Sequence, residues 1–251
     1  MTGAARVVIC ADDYGMSDGV SAVIDDLLAA GVLNATTCLV DGPAWPTSAG
    51  RLRALADQRP GVAVGLHLEL ASPWVPAKVA LGHFERQWRC FEEYFGRAPD
   101  FVDGHRHVHL FPGPRAALFA LLGKTQARPW LRQCRTASKR RSLKRWVLDP
   151  LSARFQAAAR RRGFAVNPGF GGLRRFAASE DVASIWRQDL SAMRDGGLLM
   201  THPGPIDPSE PMSVCRRQEA VLLLGGAVAE ALGACGLSMS AARAPWDKAA
   251  P

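Results

Sequence analysis

Val7-Val8-Ile9-Cys10-Ala11-Asp12-Asp13-Tyr14-Gly15 decides how the rest of the chain is read. Val7–Cys10 is a short apolar run rich in β-branched residues, the pattern of a buried strand. It runs into a loop, Ala11–Gly15, that holds two adjacent carboxylates. Carboxylates this close raise each other's pKa unless a cation shares them. One can bind a metal while the other stays free to move a proton. Ser17 can cap a following helix, with Asp18 in its first turn and Val20, Ile24, Leu27 and Leu28 at helical spacing. The chain therefore opens as strand, polar loop, helix.

The same alternation continues. Ala35–Val40 reads as a strand stopped by Asp41-Gly42-Pro43, and Ser48–Asp57 as a helix. Gly61–Leu66 is a strand that delivers His67. Phe84–Phe95 is helical and stops at Gly96. Phe101–Val102 is a strand that delivers Asp103 and His105. Arg115–Leu122 is helical, Trp130–Cys134 and Ala165–Val166 read as strands, and Val182–Arg194 as a helix. Gly197–Thr201 is a strand that delivers His202. Met212–Gly233 reads mostly as one helix, with Leu237–Met239 closing the sheet. Connections of this length suit parallel crossovers and hence an α/β fold. Polar residues gathered after successive strands suit a TIM-like (β/α) barrel, whose active sites sit on that rim. A doubly wound sheet is the other arrangement this pattern allows. With no internal repeat or obvious linker, residues 1–251 are expected to form one domain.

The 251 residues match the usual length of such a barrel, about 250. Hydrophobic residues make up 48% of the chain, ample for a core, and no apolar run approaches a membrane span. Met1–Arg6 lacks the apolar centre of a signal peptide, so a cytoplasmic protein is expected. The six cysteines show no metal-binding or disulfide spacing and read as reduced, mostly buried thiols.

Asp12, Asp13, His67, Asp103, His105, His107, His109 and His202 are the candidate functional residues. A lone histidine in an apolar run is ordinarily structural, but Asp or His at several strand ends would require independent coincidences. On a strand, His105, His107 and His109 would share one face. Two histidines and one aspartate suit a divalent metal with open positions: zinc by ligand softness, or Mg²⁺, Mn²⁺, Co²⁺ or Ni²⁺. Such an ion lowers the pKa of coordinated water and polarises a carbonyl. A second carboxylate could take the water's proton, and a histidine opposite could protonate a leaving amine. These parts suit amide or ester hydrolysis. Hydrolysis of another bond, such as a phosphoester, and a non-catalytic carbohydrate- or membrane-binding protein stay open on spacing alone.

The motifs resemble a known family. Asp12-Asp13-Tyr14-Gly15-Met16-Ser17, Gly65-Leu66-His67-Leu68, Asp103-Gly104-His105-Arg106-His107-Val108-His109-Leu110-Phe111-Pro112 and Met200-Thr201-His202-Pro203-Gly204 fall in the order seen in YdjC-like carbohydrate deacetylases, which include chitin-disaccharide and hopanoid-associated deacetylases. Asn167-Pro168-Gly169-Phe170-Gly171-Gly172 is similar to a family loop. The resemblance covers most of the chain. It implies a distorted (β/α) barrel that removes an N-acetyl group from an amino sugar, in an oligosaccharide or glycolipid, with a divalent metal, Mg²⁺ or Zn²⁺ foremost. It implies Asp13, His67 and His105 as metal ligands, Asp12 as general base, and His202 as general acid or transition-state stabiliser. It also implies that Asp103 holds a ligand histidine. His107 and His109 stay open between pocket lining and structure, and Asp41 and Asn167 join the groups expected to support the site or touch substrate. Three departures bear on substrate: Asp41 and Arg106 stand where the family often has Asn and His, and Glu69–Phe84 is short.

The formal charge of +8 is unevenly spread. Lys124–Arg162 holds thirteen Lys/Arg against one acid, Asp149, whereas the remainder holds 18 basic and 22 acidic residues. Within it, residues 139–162 mix basic residues with Leu143, Trp146, Val147, Leu151 and Phe155. A solvated helical face with snorkelling side chains is the ordinary reading. The functional reading is peripheral contact with an anionic membrane, at its inner face, bringing the enzyme to a lipid-linked or anionic glycan. No nucleic-acid-binding module accompanies the charge, so nucleic acid is not expected. An oligomer is compatible with the sequence.

Overall fold

Strands and helices alternate through the computed structural model, which describes residues 5–139, 143–239 and 241–243. The order is β1 (Ala5–Tyr14), α1 (Asp18–Ala29), β2 (Ala35–Cys38), α2 (Trp45–Gln58), β3 (Ala63–Leu68), α3 (Ala77–Phe95), β4 (Phe101–Gly104), a 3₁₀ segment (His105–Leu110) and α4 (Pro112–Leu122). There follow β5 (Trp130–Leu131), α5 (Leu143–Arg160), β6 (Phe170–Gly171), α6 (Val182–Ser191), β7 (Gly197–Thr201), α7 (Ser213–Leu224), α8 (Ala227–Cys235) and β8 (Leu237–Met239). Arg140, Arg141 and Ser142 of the basic segment lie outside the described residues.

All strand pairings are parallel, in the order β5-β4-β3-β2-β1-β7-β6, with β8 beside the start of β1. Parallel bridges Leu131↔Val166 and Thr136↔Phe170 join the two ends of this path. The sheet thus curls into a distorted (β/α) barrel whose weakest seam is between β5 and β6. Val7–Ala11 of β1 are fully buried, as a parallel strand covered on both faces must be. Ser17 caps α1 by accepting from the Val20 amide at 3.2 Å, and α1 buries Val20, Ile24, Leu27 and Leu28 against the sheet. No single helix among the described residues is long and apolar enough to cross a membrane. All six cysteines are free, four of them buried.

Several elements differ from the sequence expectation, each for a local reason. α3 starts at Ala77, not Phe84, because Ala80 extends the buried face of Phe84, Trp88, Phe91 and Phe95 by a turn. The expected strand Ala165–Val166 is only the Val166 bridge, and the real strand is Phe170–Gly171. The expected long helix over 212–233 is two helices bent by 58°. Gly226, at φ 83°, turns the chain left-handed between them, which glycine does without steric cost.

Candidate active site

β1 does not end before the aspartates; it carries them. Ala11 pairs with Thr36 and Tyr14 with Cys38, so β1 advances three residues while β2 advances two. The extra residue is a bulge at Asp12-Asp13, with Asp13 at φ 73°. In a regular strand adjacent side chains point to opposite faces. A bulge re-aims them, and here Asp12 Oδ2 and Asp13 Oδ1 lie 3.9 and 3.5 Å from one atom, His67 Nε2.

His67 projects from β3 and its Nδ1 lies 2.6 Å from Asp103 Oδ1, which also accepts from Thr37 Oγ1 at 2.8 Å. Burial pushes the Asp103 carboxyl up, but the charges of Arg132 and His67 outweigh this and hold it below the usual range. An ionised Asp103 can only accept, so His67 Nδ1 carries a proton and Nε2 is directed at the aspartate pair. Burial lowers the His67 pKa, yet Asp103, Asp12 and Asp13 together leave it raised, the same field that would attract a metal cation. His105 Nδ1 lies 3.1 Å from Asp13 Oδ1. Asp13, His67 and His105 each offer a ligand atom within 4.8 Å of the others. One carboxylate oxygen and two imidazole nitrogens, one with its tautomer set from behind, fit a divalent metal.

Two arginines complete the cluster. Arg132, fully buried just past β5, donates to both oxygens of Asp12 at 2.6 and 2.7 Å. Arg216 on α7 donates to Asp13 Oδ2 at 2.6 Å, leaving Oδ1 to face the histidines. Burial pushes the Asp13 carboxyl up, but His105 and Arg216 hold it well below the carboxylate range. Sequence reasoning missed both arginines. A lone charge inside the apolar stretch Trp130–Cys134 was the available signal for Arg132. Arg216 is beside Arg217 in sequence, and only the packing of α7 shows which faces inward.

His202, just past β7, places Nε2 3.8 Å from Asp12 Oδ2, and burial lowers its pKa. Its backbone N–H donates to Glu219 Oε2, whose other oxygen binds Arg174. Phe176 meets the His202 ring edge-on at 4.9 Å. Asp12, Asp13, His67, Asp103, His105 and His202 therefore converge on one rim of the barrel.

His107 and His109 diverge from His105, contrary to the strand expectation. Arg106 and His107 take left-handed φ values of 51° and 61°, which break the two-residue repeat. His107 Nδ1 lies 3.4 Å from Cys134 Sγ, and burial holds its pKa well below normal. His109 is fully buried, Nε2 donates to the Arg132 carbonyl at 2.8 Å, and burial lowers its pKa to about 4. Asn167 spends its amide on backbone, accepting from Gln133 N at 2.8 Å and donating to the carbonyls of Gln133 and Gly169. Asp41 is turned to α3, paired with Arg86 and Gln87.

The chain is similar to several known proteins. A family model described as YdjC-like protein matches residues 6–83 and 82–234. A chitooligosaccharide deacetylase of Enterobacter sp. (strain 638) is 30% identical over 148 residues, 49% of this chain and 56% of that protein. One from Serratia marcescens is 31% identical over 166 residues, 55% of this chain and 62% of that protein. The chain thus spans between 56% and 62% of the length of these two curated relatives. A crystal structure from Enterococcus faecalis V583, described as a candidate cellobiose-phosphate cleavage protein, shares the fold with a TM-score of 0.72 at 20% identity, over 95% of this chain and 97% of that one.

Proposed function

The chain belongs to the YdjC-like protein family, and from that premise we propose that it is a metal-dependent hydrolase that removes an N-acetyl group from an amino sugar. The observation that carries this reading is the bulge that turns both carboxylates toward His67 Nε2 while giving each its own arginine. The names of the curated relatives support an N-acetylated oligosaccharide as the substrate class.

Asp13, His67 and His105 would hold the metal, with Asp103 orienting His67. The two nitrogens favour Zn²⁺ by softness, and Mg²⁺, Mn²⁺, Co²⁺ or Ni²⁺ are the harder alternatives. When bound, the ion supplies Lewis-acid polarisation of the acetyl carbonyl and acidifies water. Asp12, aligned by Arg132, takes the proton of the attacking water. His202 Nε2, 3.8 Å away, stands where it can receive that proton and pass it to the departing sugar nitrogen. The amide C–N bond breaks, acetate leaves and the amine is protonated. Asp41 and Arg106 lie among the rim segments and are proposed to shape the sugar subsite.

Acetate release from a panel of N-acetylated saccharides and glycolipids, with and without chelator, tests the reading. Release that a chelator abolishes and added metal restores is expected. Release from no sugar, or release indifferent to chelator, would overturn it.

A further inference from the structure

In a (β/α) barrel, the loops and first helical turns that follow the strands form the active-site rim. This chain concentrates its exposed large apolar side chains there. More than half of the eleven among the described residues lie on that rim: Trp74 after β3, Leu143, Trp146 and Val147 after β5, and Ile206 and Val214 after β7. The apolar surface therefore belongs to the mouth. Leu143 and Trp146 are 87% and 80% exposed, one turn apart at the start of α5.

The charge is basic along one arc of the same rim, after β4, β5 and β6, whereas the segments after β1 and β2 expose Asp18 and Asp41. The described segments after β4, β5 and β6 expose Arg106, Arg135, Lys139, Lys144 and Arg175 against one exposed acid, Asp181 at the N-cap of α6. The patch is tied to the site. Lys144 Nζ donates to the Arg174 carbonyl at 2.9 Å and lies 5.3 Å from the centre of the Phe176 ring, which in turn packs on His202.

We propose that this rim docks the barrel mouth on an anionic lipid bilayer, so that the substrate is an N-acetylated amino sugar anchored in that bilayer. The substrate class rests on the deacetylase reading above. A soluble polyanion would engage the arginines and lysines but would gain nothing from Leu143 and Val147. A bilayer surface engages both: aliphatic side chains and tryptophan enter the headgroup boundary while basic groups draw anionic lipid. A second copy of this chain that met this arc with its own would bring like charge together.

The test is flotation of the full chain with vesicles of phosphatidylcholine alone and with vesicles of phosphatidylcholine and phosphatidylglycerol. The protein should float with the mixed vesicles only, and less so at high salt. Leu143→Ser/Trp146→Ala should weaken binding about tenfold or more, as should Arg135→Glu/Lys139→Glu, while both hydrolyse a soluble N-acetylated chitooligosaccharide at the native rate. Binding to neither vesicle, equal binding to both, or variants that bind like the native chain would overturn the docking proposal. So would a dimer that Leu143→Ser/Trp146→Ala abolishes, without vesicle binding, since the patch would then serve self-association. Native vesicle binding with no acetate released from any sugar would overturn the deacetylase reading, and with it the substrate class, while the docking face stands.

Discussion

Arg132 grips both oxygens of Asp12, and its Nε lies 2.9 Å from Asp103. One buried guanidinium thus fixes the proposed base and the carboxylate behind His67 together. Removing one partner of such a buried network leaves an uncompensated charge, which costs about 3–5 kcal/mol. Arg132→Met should lower stability to urea by that order. Arg132→Lys, which keeps the charge and loses the fork, should lower acetate release far more than it lowers stability. Comparing denaturation midpoints with turnover checks both.

The two aspartates should separate by readout. Asp12→Asn is expected to abolish turnover and keep bound metal, because Asp12 is the proposed base. Asp13→Ala or His67→Ala should lower metal content and turnover together. Metal analysis of purified protein beside acetate release decides. An Asp12→Asn protein that turns over at the native rate would remove Asp12 from the base role.

Arg216 occupies Asp13 Oδ2 and so presents Oδ1 alone to the histidines. Arg216→Gln should weaken metal binding by about 10-fold or more, the range seen when a partner of a ligand is lost. Calorimetric titration of the metal-free protein with Zn²⁺ measures this without recourse to activity.

His109 should report through stability. Burial depresses its folded pKa to about 4, below the unfolded value of about 6.5. Between those values the unfolded chain binds more protons. The contribution of neutral His109 is therefore full above about pH 6.5 and lost as pH falls toward 4. His109→Gln should flatten the pH dependence of the denaturation midpoint across that window.

Asn167 distinguishes a structural role from a substrate role. Its side chain makes three hydrogen bonds to backbone around Gln133. Asn167→Ala should destabilise the fold by about 1–3 kcal/mol through the unmet backbone groups, with KM close to native. A large rise in KM at native stability would instead make it a substrate contact.

Much of this was readable in advance because it depends on local pattern. Val7–Cys10, Gly197–Thr201 and the α1 stripe of Val20, Ile24, Leu27 and Leu28 are set by apolar periodicity and a serine cap. Where long-range packing decides, the pattern misleads. His105, His107 and His109 alternate as on a strand, yet left-handed Arg106 and His107 send them to three surroundings. Gly225-Gly226 breaks a helix whose apolar spacing runs straight through.

Local pattern alone makes this an α/β chain with carboxylates and imidazoles at successive strand ends, since strand periodicity and turn residues are encoded within a few positions. The arrangement of the aspartate pair comes from packing across the barrel. Adjacent residues of a regular strand face opposite ways. A one-residue bulge against β2, Asp13 at φ 73°, and arginines from 120 and 203 residues away turn the two carboxylates to one histidine and give each its own cationic partner. That division depends on register and on distant side chains, which no local window contains.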